Sequence, residues 1–109
     1  IKNMKKFILI LSLLFSFSTF AQDLTIVHFN YKWNERNGYK GLDRLKNVKV
    51  QYAFVEDQSE SIQSSIKSVP TIVVYLNGRP KARFEAGLQM RITTELEDLQ
   101  ELVNKLKDQ

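Results

Sequence analysis

Ser68-Val69-Pro70-Thr71-Ile72-Val73-Val74-Tyr75-Leu76-Asn77-Gly78-Arg79-Pro80-Lys81-Ala82-Arg83-Phe84-Glu85-Ala86-Gly87 decides how this sequence folds. The β-branched apolar run Ile72–Leu76 reads as a strand, and Asn77-Gly78 follows it at once. That dipeptide is the strongest short-range hairpin signal because both residues tolerate positive φ. The return strand, Lys81–Glu85, has Pro80 at its start, and a residue without an N–H belongs at the edge of a sheet. Arg79, Lys81 and Arg83 read as the charges that keep such an edge from pairing with other chains. Gly87 closes the hairpin.

Upstream, Leu24–Phe29 is a β-branched apolar run with little alternation, as in a central strand covered on both faces. Asn30–Gly41 is polar, with Tyr31, Trp33 and Tyr39 interspersed. Leu42 and Leu45 predict the inner face of a short helix, which Gly38 and Gly41 weaken by about 1 kcal/mol each relative to alanine. Val48, Val50, Tyr52 and Phe54 alternate as a second strand. Asp57 with Glu60 predicts a helix cap, and Ile62 and Ile66 give that helix a narrow buried stripe. Downstream, Thr94 and Glu97 predict the cap of a last helix. Its buried side is Leu96, Leu99, Val103 and Leu106, and its solvated side carries Glu95, Glu101 and Lys105. The order is β-α-β-α-β-β-α. A crossover between the first two strands makes them parallel, and the hairpin is antiparallel. The expected fold is α/β, a mixed four-stranded sheet flanked by helices.

The chain has 109 residues, with 16 Lys+Arg against 12 Asp+Glu. Lys2, Lys5 and Lys6 precede the apolar run Phe7–Phe17, and Ser18-Thr19-Phe20-Ala21 follows, with a small residue at its end. This is the pattern of a secretory signal, too short to span a bilayer. Residues 1–21 are therefore expected to be a signal peptide cut after Ala21, translation starting at Met4, and residues 22–109 a single domain. The domain is expected to be secreted or periplasmic and free of the membrane after cleavage. Without the three leading lysines, 13 basic residues face 12 acidic ones. That balance offers no concentrated basic face, so no nucleic-acid partner is expected.

There is no cysteine, so the chain alone has no disulfide, thiol nucleophile or thiolate metal site. His28 is the only histidine, and no carboxylate falls near it in the strand pattern; a buried neutral imidazole is expected there, and no metal. With no Gly-rich phosphate loop and no recognisable Ser-His-Asp set, no cofactor is expected either.

The element order resembles the thioredoxin family, and three signatures carry the resemblance: Ile26–Phe29 running into Tyr31-Lys32-Trp33, Ser68-Val69-Pro70-Thr71 opening a strand, and Asn77-Gly78 before a basic edge strand ending at Phe84-Glu85-Ala86-Gly87. The resemblance spans Leu24 to about Leu106 and implies a thioredoxin/glutaredoxin-type fold with a cis bond before Pro70. It also implies a Cys-x-x-Cys pair directly after Trp33, where this chain has Asn34-Glu35-Arg36-Asn37. The family's buried proton-accepting acid falls at His28. Nucleophile, resolving thiol and acid are thus all replaced, and dithiol exchange needs the thiolate. Trp33, Asn34, Asn37 and His28 become vestigial active-site positions, and Asn34 is expected to cap the following helix.

What the resemblance leaves is a groove beside a cis-proline, formed by Tyr31, Val69, Pro70 and Thr71, in which the backbone of Val69 pairs with an extended peptide. The expectation is an exported, redox-inactive peptide- or protein-binding module rather than an enzyme. The alternatives are a subunit that pairs through the Lys81–Glu85 edge, and a non-thiol enzyme or redox component completed by a partner's cysteines.

Overall fold

The computed structural model describes residues 23–108, so the signal-peptide expectation lies outside the described residues. Four strands, β1 (Leu24–Asn30), β2 (Lys49–Phe54), β3 (Thr71–Leu76) and β4 (Arg79–Glu85), form one sheet in the order β2-β1-β3-β4. β1 runs parallel to β2 and antiparallel to β3, and β3 is antiparallel to β4. Two helices complete the frame: α1 (Glu60–Ser65) and α2 (Leu96–Lys107).

The alternation of the central strands divides the core in two. Leu24, Ile26, Ile72, Val74 and Leu76 pack with Leu42, Leu45 and the α2 residues Leu99, Val103 and Leu106. Phe29 and Val73 point the other way and pack with Val55, Ile66 and Val69. Side chains of period two on strands covered from both sides require this arrangement. Each fully buried aliphatic side chain contributes about 1.5–3 kcal/mol.

At the hairpin, Asn77 and Gly78 have φ of 53° and 82°. The Asn77 side-chain oxygen accepts the Asp23 N–H at 2.9 Å, and the Asn77 N–H donates to the Asp23 carbonyl at 2.8 Å, so the turn also holds the entry to β1. β4 begins at Arg79, two residues ahead of the expected start. Pro80 lies opposite Tyr75 at an irregularity in the register between Val74 and Tyr75, which accommodates the missing N–H.

The connection from β1 to β2 differs from the helix expected there. It consists of two 3-10 segments, Lys32–Asn37 and Leu42–Arg44. Gly41, at φ 91°, breaks the chain between them. Leu42 and Leu45 are buried as expected, but their spacing of three is the period of a 3-10 turn as much as a helical stripe. Glu56, just after β2, closes the start of this connection by accepting the Lys32 N–H at 3.1 Å.

Both expected caps move. Ser59, not Asp57, caps α1, its hydroxyl accepting the Ile62 N–H at 3.4 Å; Asp57 ends a separate 3-10 turn, Val55–Asp57. Glu95, not Thr94, precedes α2, without a side-chain capping bond, and the Thr94 carbonyl accepts from the Tyr39 hydroxyl at 2.6 Å. α2 is fixed at its side instead: the Gln100 carboxamide accepts the Lys46 N–H at 2.8 Å and donates to the Lys46 carbonyl at 3.0 Å.

Candidate functional site

The Val69–Pro70 peptide bond is cis. Around it the end of β1, the first 3-10 segment and the turn into β3 converge. Asn34 stands where they meet and is 2% exposed. Its carboxamide nitrogen donates to the Asn30 side-chain oxygen at 3.0 Å and lies 3.4 Å from the Val69 carbonyl oxygen. Its carboxamide oxygen accepts from the Asn37 side chain at 2.8 Å, and its backbone carbonyl accepts from the Asn30 side chain at 3.0 Å. Asn34 therefore does not cap a helix; Tyr31 occupies the cap position, without a side-chain bond. Three asparagines instead form an amide network centred on Asn34, which satisfies the buried polar groups of Asn30 and Asn34 in a segment that lacks an α-helical hydrogen-bond ladder.

Trp33 projects away from this network and is 66% exposed, stacked on Tyr31 with ring centroids 5.8 Å apart and planes 14° from parallel. Below the rings runs an open groove of about 360 Å³, lined by Tyr31, Trp33, Ile66, Lys67, Ser68, Val69, Gly87, Leu88 and Met90. The groove therefore unites Tyr31, Trp33 and Val69. Pro70 and Thr71 lie behind its wall: both are buried, and the Thr71 hydroxyl donates to the Ser68 carbonyl at 2.7 Å. The Pro70 carbonyl accepts the Ala86 N–H at 3.1 Å and so fixes the start of the opposite wall.

Leu88 and Met90 were not visible as site residues in the sequence. They lie between β4 and α2, where no periodicity marks them. Leu88 is fully exposed, and Met90 holds a left-handed φ of 59° with its N–H on the Gly87 carbonyl at 2.9 Å. A β-carbon in that region costs about 1–2 kcal/mol. Among the described residues, three of the four large apolar side chains left exposed are Trp33, Leu88 and Met90; the fourth is Tyr52.

His28 lies on the other side of Asn30, 5% exposed, in a smaller cavity of about 260 Å³ whose lining includes Glu35, Tyr39, Lys40 and Tyr52. Its Nε2 accepts the Tyr39 N–H at 3.0 Å, and the Tyr52 ring is 5.4 Å away. Desolvation by burial lowers its pKa below the usual 6.5, outweighing a backbone hydrogen bond that acts the other way. The imidazole is thus neutral near pH 7, with Nε2 unprotonated. Among the described residues no group of three His, Cys, Asp or Glu side chains is placed to hold a metal ion.

No family model matches the sequence, and no curated protein matches it either. Solved structures do resemble it. Fasciola hepatica thioredoxin is 21% identical and aligns over 87% of this chain and 91% of its own, with a TM-score of 0.55. A point-mutant thioredoxin of Halobacterium salinarum is 17% identical over 78% of this chain and 75% of its own, with a TM-score of 0.57. Thioredoxin-2 of the malaria parasite is 20% identical over 77% and 84%, with a TM-score of 0.55.

The fold is that of thioredoxin. At these identities the likeness establishes architecture alone. In this thioredoxin-like chain amides occupy the positions expected for the two sulfurs, and with no cysteine the chain cannot itself carry out dithiol–disulfide exchange.

Proposed function

We propose that this protein is an exported, redox-inactive thioredoxin-fold module that binds an extended peptide bearing large apolar side chains in the groove between Trp33 and Leu88. The observation that carries this reading is the gathering of exposed apolar surface: Trp33, Leu88 and Met90 face one groove floored by Ile66 and Val69. Buried aromatic and apolar anchors dominate the affinity of such sites. Loss of the thiols fits the same reading, since recognition needs only the groove while electron transfer needs sulfur. Export rests on the basic, apolar and small-residue succession in residues 1–21.

Trp33 is the only tryptophan, which makes the test direct. Cysteine-free decapeptides rich in Leu, Phe and Tyr should shift its emission to the blue with saturation, and polar decapeptides of equal length should leave it unchanged. No difference between the two sets would overturn peptide binding. For export, the full chain produced in a bacterial host should appear outside the cytoplasm with Gln22 at its N-terminus; retention in the cytoplasm with residues 1–21 attached would overturn it.

A further inference from the structure

The segment that carries one wall of the groove is tethered at its far end to a residue well away from the groove. Leu88 and Met90 belong to the connection between β4 and α2. At its far end the Thr94 carbonyl accepts from the Tyr39 hydroxyl at 2.6 Å. Tyr39 is positioned in turn by its own N–H, which donates to His28 Nε2 at 3.0 Å. A chain of two hydrogen bonds thus runs from the centre of the sheet to the segment that carries the groove wall. Its first bond exists in one protonation state only. A neutral imidazole offers Nε2 as an acceptor, whereas an imidazolium presents a second N–H to the Tyr39 N–H.

The surroundings leave a protonated ring little relief. The crossover contributes Glu35, Lys40 and Tyr39 to the cavity at His28, and β2 contributes Tyr52. Glu35 and Lys40 are both exposed and of opposite sign. Asp43 acts on the Tyr52 phenol, and Glu95, Glu97 and Asp98 act on the Tyr39 phenol; burial is the largest influence on both. On β3 the residue paired with His28 is the apolar Ile72. The ring has no room toward the loop, since a β-carbon at Gly38 would lie 3.3 Å from its Cε1.

We propose that His28 is a proton-sensitive latch: its protonation expels the Tyr39 N–H, frees the Thr94 tether, and loosens the Leu88/Met90 wall, so that the groove releases its peptide on acidification. The proposal rests on the peptide-binding reading of the groove for its consequence, but not for its mechanism. If only the latched form binds, apparent affinity falls about tenfold one pH unit below the His28 midpoint.

NMR of the purified protein between about pH 7.5 and pH 4.5 covers the imidazole range and separates the two readings. The expected result is that the Tyr39 amide and the Leu88 methyl resonances move with the same midpoint as the His28 ring. His28→Gln should abolish both movements. Tyr39→Phe, which keeps the backbone contact to His28 and lacks the hydroxyl, should leave the Tyr39-position amide responsive and Leu88 silent. A Leu88 resonance that ignores His28 titration, or one that still follows it in Y39F, would overturn the latch. Peptide affinity measured alongside reports on the other reading: absence of binding at every pH defeats the peptide function even where Leu88 follows His28.

Discussion

The Asn34 carboxamide nitrogen approaches the Val69 carbonyl oxygen to 3.4 Å, joining the first residue after Trp33 to the residue before the cis-proline. In the thioredoxin family these two places hold the nucleophilic sulfur and the backbone that receives the substrate. Here an amide spans them, with its remaining capacity committed to Asn30 and Asn37.

Replacing Asn34 should separate its structural role from recognition. Asn34→Ala removes the side-chain bonds to Asn30 and Asn37 and leaves the buried Val69 carbonyl without the Asn34 donor, and a stability loss of about 1–3 kcal/mol is expected by urea denaturation. Asn34→Asp is nearly isosteric but sets carboxylate oxygens against the Asn30 and Val69 oxygens. Its loss should be larger, about 3–5 kcal/mol at neutral pH, as for an uncompensated buried charge. Equal stability of N34D and the parent would show that the network is not formed.

Stability should depend on pH through His28. Its folded pKa lies below the unfolded value of 6.5 because burial disfavours the imidazolium. The neutral ring's contribution is therefore complete above pH 6.5, declines as pH falls from there through the folded pKa, and is constant below it. The difference in urea midpoint between the parent and His28→Gln, followed against pH, should show that single decline. A difference that instead grows as pH falls would contradict the assignment.

Met90→Gly should relieve the left-handed backbone at φ 59° and leave stability unchanged or raised by up to about 1 kcal/mol, despite the greater freedom of glycine when unfolded. The same change removes an apolar side chain from the groove, so peptide affinity should fall. Thermal melting and Trp33 fluorescence, read together, check the two opposite signs.

Leu99→Ala empties a fully buried position between α2 and the sheet and should cost about 2–5 kcal/mol. Against a total stability of about 5–15 kcal/mol, that is enough to bring the domain close to unfolding at 37 °C. Circular dichroism melting of L99A provides the comparison.

The sheet was legible in the sequence because each of its signals is local. Asn77-Gly78 specifies its own turn, and the runs Leu24–Phe29 and Ile72–Leu76 are rich in β-branched residues. Leu99, Val103 and Leu106 likewise declare their helix by spacing alone. The caps were less legible because Asp57, Ser59, Thr94 and Glu95 all lie near helix starts and residue type alone does not choose among them; the Thr94 carbonyl engages the Tyr39 hydroxyl, 55 residues away in sequence. The crossover misleads for a related reason, since Leu42 and Leu45 fit a 3-10 turn as well as an α-helix. In the candidate site, Trp33 and Asn34 could be placed through the strand that runs into Tyr31-Lys32-Trp33, and Val69 through the cis-proline signature. Leu88 and Met90 could not, because the segment between Gly87 and Thr94 lacks any periodicity and acquires its position from the hairpin behind it.

The most direct test maps where an apolar, cysteine-free decapeptide binds. Amide and methyl shifts in the purified protein should cluster at Trp33, Ile66 to Val69, Leu88 and Met90, and Leu88→Asp should abolish binding while leaving the fold intact by circular dichroism. Shifts centred on another surface, such as the β4 edge, or undiminished affinity in L88D, would contradict the claim that this cysteine-free thioredoxin fold has kept its groove for recognition.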